Sequence, residues 1–247
     1  MIPIKVLWLI AARSGSKTVP HKNIRILNGV PLLAYRVQSA LRSNFPEVVW
    51  ISTDSIEYAE IAKEYGAYVP FLRPIDLAQD SSTSVEVVLH AMKFAEEQQM
   101  NFDYIGLLEP TSPFISENDL NNAIFKLSQT ENAHSIVAVK ESRPNTIFIQ
   151  NDSNYLEEVA INIANLSNLG RQEFKKQITP SGGFYIAKWK PFLEDKSFYT
   201  PKTLSYLVDD IAGLEIDENI DFLFAEFIAS FKDFSPKYKL WTIFPKD

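Results

Sequence analysis

The chain has 247 residues, of which 46% are hydrophobic and 22% charged, and its formal net charge is −7 at pH 7. That length and balance fit a single α/β unit with a sizeable core, and the acidity excludes a protein built to coat nucleic acid, whose surface would be basic. There is no cysteine, and the three histidines, His21, His90 and His134, are widely scattered, which excludes a disulfide scaffold, thiol catalysis and a Cys/His zinc cluster.

Residues 5–12, KVLWLIAA, form a short continuous apolar run of the kind expected for a strand buried on both faces. The apolar part is at the lower limit for a signal peptide and is followed by a basic segment, so a buried strand is the better reading. No run reaches the roughly 18 apolar residues of a membrane span. A cytoplasmic location with no membrane partner is therefore expected. Residues 31–43 repeat apolar side chains at helical spacing, with Asn28-Gly29 and Pro31 introducing the helix. Residues 48–53 read as a second strand ending at Asp54, and residues 55–66 as a helix stopped by Gly66. A short strand at 67–69 leads into an irregular stretch over 70–84.

A helix over 84–98, a strand over 104–110 and a helix over 116–129 follow, the last opened by Ser116 and Asp119 at capping-box spacing. Residues 135–140 are another strand. This alternation predicts a mostly parallel sheet with helices on both faces, whose ligands bind beyond the carboxyl ends of the strands. Residues 141–180 break the rhythm and read as an excursion from the sheet. The strand 181–189 and a long amphipathic helix over 217–231 complete the chain, with no repeat or linker to divide it.

Residues 9–25, LIAARSGSKTVPHKNIR, place Arg13, Lys17, Lys22 and Arg25 on one loop without an acid. Small residues let backbone N–H groups approach an anion and the cations neutralise it, so the loop has the chemistry of a phosphate cradle. It has neither the Walker A pattern nor the dinucleotide glycine fingerprint, which disfavours a Rossmann dehydrogenase. The bland alternative is a solvated basic loop.

The segments ARSGSKTVPHKN and LNGVPLLAY, followed in order by ISTDS, LRPIDLAQDSSTS, LLEPTSPF, SGGFYI and LEIDENIDF, resemble the CMP-sialic acid synthetases, or acylneuraminate cytidylyltransferases. The likeness spans nearly the whole chain. It implies a Rossmann-like nucleotidyltransferase fold, one domain over 1–247, with 141–180 as a dimerisation and substrate-capping excursion of a homodimer. It implies attack of the anomeric hydroxyl of a nonulosonic acid on the α-phosphate of CTP, giving the CMP-sugar and pyrophosphate with Mg²⁺ as cofactor. Fixed cations and a metal are what such a charge-building reaction needs.

The resemblance implies that Arg13, Ser16, Lys17 and Lys22 hold the triphosphate, Arg13 and Lys22 catalytically, and that Asn23 contacts the nucleotide. Arg73 would contact the cytidine with Ser82 nearby; Asp80 and the serines of DSSTS could equally cap the next helix. Asp54 reads as structural. Glu109 stands where the family usually has Gln and Ser181 where it commonly has Asn, both on the sugar side, which points to a variant nonulosonate such as legionaminate or a deaminated form. Arg171 would bind the sugar carboxylate, or be a surface arginine of the excursion. Glu215 and Asp217, two apart on an extended segment, face one way and suit Mg²⁺ beside a triphosphate; Asp217 is also a candidate helix cap. Asp209 and Asp210 read as turn residues. An octulosonate-specific enzyme and a nucleotide-binding regulator that has lost activity are the competing readings.

Overall fold

The computed structural model describes residues 4–16, 18–142, 148–150, 156–158 and 177–231. Among these, the first apolar run is strand β1 (Val6–Ala11), fully buried except at its last residue. It lies between β4 (Val48–Ser52) and β5 (Tyr104–Leu108), parallel to both. Strand β9 (Gln177–Lys188) pairs antiparallel with β5 and with β6 (Ser135–Ser142), and β10 (Thr203–Leu207) adds parallel to β6. The sheet order is β10-β6-β9-β5-β1-β4, five strands pointing one way and β9 the other. The expected mostly parallel sheet is the one observed.

Alternation along β1 divides the core into two layers. Val6, Trp8 and Ile10 join Leu33 and Val37 of α1 (Leu32–Leu41), Tyr58 of α2 (Ile56–Glu64) and Leu120 and Ile124 of α4 (Glu117–Gln129). Leu7 and Leu9 face the other way, onto Val88 and Met92 of α3 (Ser84–Glu97) and Phe192 of α5 (Trp189–Asp195). Helices therefore cover both faces. A third cluster joins Leu27, Leu32 and Tyr35 to Phe222, Ala225 and Ile228 of α6 (Asn219–Ser230).

Asn28 and Gly29 do not open the helix directly. They have φ of 46° and 82° and turn a two-residue hairpin between β2 (Ile26–Leu27) and β3 (Val30–Pro31), the positive-φ geometry that Asn-Gly favours. Short strands β7 (Phe148–Gln150) and β8 (Leu156–Glu158) pair antiparallel within the predicted excursion. Its two ends belong to the main sheet, because β6 and β9 pair down to Ser142 and Gln177.

Several caps differ from the sequence expectation. The cap of α3 is Thr83, in a reciprocal box with Glu86, so Asp80 and the serines are released from that role. The cap of α6 is Glu218, with Asp221 reaching back to the backbone N–H groups of Asp217 and Glu218. Asp217 is not the cap. Ser116 and Asp119 do form the predicted box at α4.

Candidate active site

Four loops meet at the carboxyl edge of the sheet, after β1, β4, β5 and β10, and the first half of β9 joins them because it runs the other way. The loop after β1 is held in shape from outside. Asp54, just past β4, accepts hydrogen bonds from the Ser14 backbone N–H at 2.8 Å and the Ser14 hydroxyl at 2.6 Å. Burial alone would raise the Asp54 carboxyl, but these bonds outweigh it and hold it below its ordinary value. The Asn23 amide donates to the Arg13 carbonyl at 2.9 Å, so Asn23, largely buried, ties the two ends of the loop together. Asp54 caps no helix; Ser55 caps α2.

Of the loop's cations, Arg13, Lys22 and Arg25 are each directed to a fixed partner. Arg13 pairs with Asp80 at 3.0 Å. Lys22 is 9% exposed; its Nζ donates to the Ile216 carbonyl at 2.8 Å and lies 3.3 Å from Oδ1 of Asp217. Thr18 adds a hydrogen bond from its hydroxyl to the Asp217 carbonyl at 2.7 Å. The loop and the 215–217 segment, some two hundred residues apart in sequence, are thus joined directly. Arg25 stacks over the Phe222 ring at 4.0 Å and donates to Asn219 at 3.0 Å, so it docks the loop on α6. Ser16 is partly exposed on the loop. Lys17 and Arg171 lie outside the described residues.

Arg73 is buried at the end of β4. Its Nε donates to the Ser52 hydroxyl at 2.9 Å and its guanidinium also to the Ser52 carbonyl. Burial pushes it down to about 10, opposed by the charges of Asp54 and Glu109. Ser82 closes the turn before α3, donating to the Asp76 carbonyl at 2.8 Å and accepting from the Gln79 N–H at 3.1 Å.

The acidic side has the opposite electrostatics. Glu109, half-buried beyond β5, is pushed up to about 7 by burial and by Glu215, against the opposing effects of Arg73, a Ser84 hydrogen bond and Lys22. Glu215 is raised by burial and by Asp217, with Lys140 and Lys22 opposing. Asp217 is exposed. Gly182 makes room for Glu215: it sits at φ +64°, and a Cβ there would run into the Glu215 carboxylate. Ser181 is fully buried, and its hydroxyl has no hydrogen-bond partner among the described residues.

Beside Glu109 opens a cavity of about 220 Å³ lined by Ser84, Val85, Leu107, Tyr185, Ser197, Phe198 and Tyr199. Sequence reasoning did not single out Tyr185 or Tyr199. The alternation of β9 could have placed Tyr185 on the face opposite Phe184 and Ile186, but Tyr199 lies in a stretch with no periodic signal. Asp209 accepts from the N–H groups of Ile211 and Ala212, as a turn residue should.

No group of three or more acidic or histidine side chains converges as a metal cage among the described residues. Glu215 and Asp217 nevertheless fit a divalent cation shared with phosphate oxygens. They are hard oxygen donors whose mutual repulsion a cation would relieve, and Mg²⁺ takes one or two carboxylates alongside phosphates and water.

Residues 7–173 match the cytidylyltransferase family model. The chain is 32% identical over 225 residues to a CMP-N,N'-diacetyllegionaminic acid synthase of Legionella pneumophila, covering 90% of this chain and 95% of that one. It is 34% identical over 219 residues to an N-acylneuraminate cytidylyltransferase of Escherichia coli, covering 88% of this chain and half of that longer protein. It is 29% identical over 226 residues to a pseudaminic acid cytidylyltransferase of Campylobacter jejuni, at 91% and 96% coverage. In structure it resembles a CMP:2-keto-3-deoxy-manno-octonic acid synthetase solved with CTP, with a TM-score of 0.65 at 14% identity over 91% of this chain and 98% of that one. At that identity the likeness concerns the fold.

Proposed function

The chain belongs to the cytidylyltransferase family, and on that premise we propose that it joins CTP to a nonulosonic acid, giving the CMP-sugar and pyrophosphate. The observation that carries this reading is the direct link between the cationic loop and the carboxylates, made by Lys22 to Ile216 and Asp217. A triphosphate laid along the edge between them would meet cations on one side and metal-binding oxygens on the other. Arg13, Ser16, Lys17 and Lys22 bind its phosphates, and Lys22 and Arg13 offset the charge that grows on the α-phosphate and the leaving pyrophosphate. Asp54 and Asn23 keep the loop in that shape. Arg73, with Ser82 in the neighbouring turn, shapes the cytidine side. Glu215 and Asp217 hold Mg²⁺, which supplies further charge neutralisation when bound.

The cavity beside Glu109 receives the sugar. Its walls are apolar and aromatic with a few polar groups, the lining that fixes a small ligand's orientation. A carboxyl at position 109 accepts from a sugar O–H or N–H rather than facing the sugar's own carboxylate, which Arg171 binds. Glu109 and the buried Ser181, in place of the amides usual at these positions, favour a modified nonulosonate of the legionaminate kind. The three curated relatives, each named for a nonulosonic acid, support the sugar class. On the same reading the enzyme works as a homodimer in the cytoplasm, where CTP is available; no helix among the described residues is long and apolar enough to cross a membrane.

The test is pyrophosphate release from CTP and Mg²⁺ with a panel of legionaminate, pseudaminate, neuraminate and 3-deoxy-manno-octulosonate. Release with at least one nonulosonic acid, and little with the octulosonate, is expected. Release only with the octulosonate would overturn the sugar class, and no release with any partner would overturn the reaction.

A further inference from the structure

Helix α1 carries a charge into the core. Arg36 is fully buried, on a helix whose Leu33, Ala34, Val37 and Ala40 all belong to the first core layer. Its Nη1 donates to the Ile115 carbonyl at 2.9 Å and its Nη2 to the Gly183 carbonyl at 3.4 Å. Its Nε has no partner among the described residues. Burial pushes the guanidinium down to about 9, opposed by the charges of Asp119 and Glu109. A buried ion with incomplete partners is costly, and an apolar side chain of similar volume would serve the packing better. What Arg36 contributes therefore lies in the two carbonyls it holds.

Those carbonyls lie on the two segments that carry the sugar side. Between the pairs Val139–Pro180 and Val137–Tyr185 the register of β6 and β9 shifts, so residues 181–184 stand opposite Ala138 alone. Such a bulge leaves the ladder and re-aims the residues it carries, here Ser181 and its neighbour Gly182, which lies against Glu215. Gly183 packs so closely that a Cβ there would come within 2.6 Å of the Ile115 side chain. Ile115 closes the loop that begins at Glu109. Within that loop the Thr111 carbonyl accepts the Ile216 N–H at 2.8 Å, and the Ser112 hydroxyl donates to the Ser181 carbonyl at 3.4 Å. We propose that Arg36 is a positioning residue for the sugar side: by bridging Ile115 and Gly183 it locks the β9 bulge against the 109–115 loop and sets where Glu109 and Ser181 stand, without touching substrate. That these two residues face a sugar rests on the cytidylyltransferase reading above. The planar fork of an arginine suits this task, since it reaches two acceptors in fixed directions, whereas lysine offers one point charge.

Arg36→Met removes the fork and keeps a long side chain in the core. Kinetics are read at saturating Mg²⁺ with CTP and whichever of legionaminate, pseudaminate and neuraminate the parent turns over best. KM for the sugar should rise about tenfold or more, the size of effect expected when a supporting shell loosens, while KM for CTP stays within about twofold. A purely structural loss would reduce the folded fraction, lowering apparent kcat and leaving both KM values alone. Val37→Ala, a truncation of a fully buried side chain on the same helix, should lower Tm without moving either KM. An unchanged sugar KM in Arg36→Met overturns the proposal, and so does the same KM split in Val37→Ala. A second measurement needs no substrate. The Ser112 and Ile216 N–H groups donate to the Glu109 and Thr111 carbonyls of the loop, and in Arg36→Met their hydrogen exchange should accelerate about tenfold, with the amides of β1 unchanged. Unchanged exchange at these two amides, or equal acceleration in β1, overturns the proposal. If Arg36→Met does not fold, Arg36→Lys, which keeps the buried charge without the fork, is read in the same way. If the parent releases pyrophosphate with no sugar, the functional reading fails, and the exchange measurement decides the positioning role by itself.

Discussion

The two sides of the candidate site are built on opposite electrostatic plans. On the cationic side Arg13, Lys22, Arg25 and Arg73 each have a fixed acceptor or ring: Asp80, Ile216 with Asp217, Phe222 with Asn219, and Ser52. On the acidic side burial and neighbouring carboxylates, Glu215 beside Glu109 and Asp217 beside Glu215, raise Glu109 and Glu215 above their ordinary values. The first side is preorganised and holds its charges in place without a ligand. The second is held in an unfavourable state that added positive charge or hydrogen-bond donors would relieve. Such asymmetry suits a site that must recognise a polyanion and a cation together, since neither half of the ligand alone satisfies both sides.

Lys22 belongs to both sides, so its removal is the severest test. Lys22→Ala should lower kcat/KM for CTP by about 10²–10³-fold in the pyrophosphate-release assay, the usual size of losing a fixed donor to developing charge. A variant retaining turnover within about threefold would show that the link to Asp217 is only structural. Gly182 tests the acidic side through the backbone. Gly182→Ala forces a side chain into a positive-φ position and into the Glu215 carboxylate, so a loss of about 2–3 kcal/mol is expected. Thermal unfolding should show a Tm lower by several degrees, and an unchanged Tm would mean that Glu215 can move away at no cost. Asp217→Asn should raise the Mg²⁺ concentration for half-maximal activity by about tenfold or more, a smaller effect because the residue is exposed and water can replace one ligand. An unchanged Mg²⁺ titration would remove Asp217 from the metal site.

The contrast between the two sides also marks what the sequence made legible. The cationic loop stood out because four cations without an acid follow a buried strand, a local pattern. The parallel core was equally local: β1, β4, β5 and β6 are short apolar runs separated by helices of clear period. β10 escaped notice because Thr203–Leu207 is a half-exposed edge strand without an apolar run. α5 escaped because Pro191 interrupts its pattern. Pro180 lies inside β9, opposite Val139, where the register with β6 shifts, a place in a sheet that tolerates proline. Strand direction is not written in periodicity, so the reversal of β9, which brings Ser181 and Gly182 to the site edge, emerged only from the structure. The bracing roles of Asp54 and Asn23 depend on contacts between loops distant in sequence. In DEN, three consecutive polar residues could each cap α6, and only the backbone geometry selects Glu218.

The smallest expected effect isolates the acidic side alone. Glu109 ordinarily titrates near 4.5 and in the folded chain near 7, so the folded state holds its proton to higher pH than the unfolded state. Between these values the folded protein binds more protons, and stability must fall as pH rises, with the full loss present above about pH 7. A tenfold difference in proton affinity between the two states corresponds to about 1.36 kcal/mol. Allowing for water that reaches a half-buried carboxyl, the penalty is about 1–1.5 kcal/mol. Glu109→Gln keeps the shape of the protonated acid and cannot ionise. With chelator present and no nucleotide, the variant and parent should melt within about a degree of each other at pH 5. At pH 8 the variant should melt about 2–6 °C higher. A difference independent of pH would mean that Glu109 is not held in an unfavourable ionised state, and the proposed contrast between the two sides would rest on Glu215 alone.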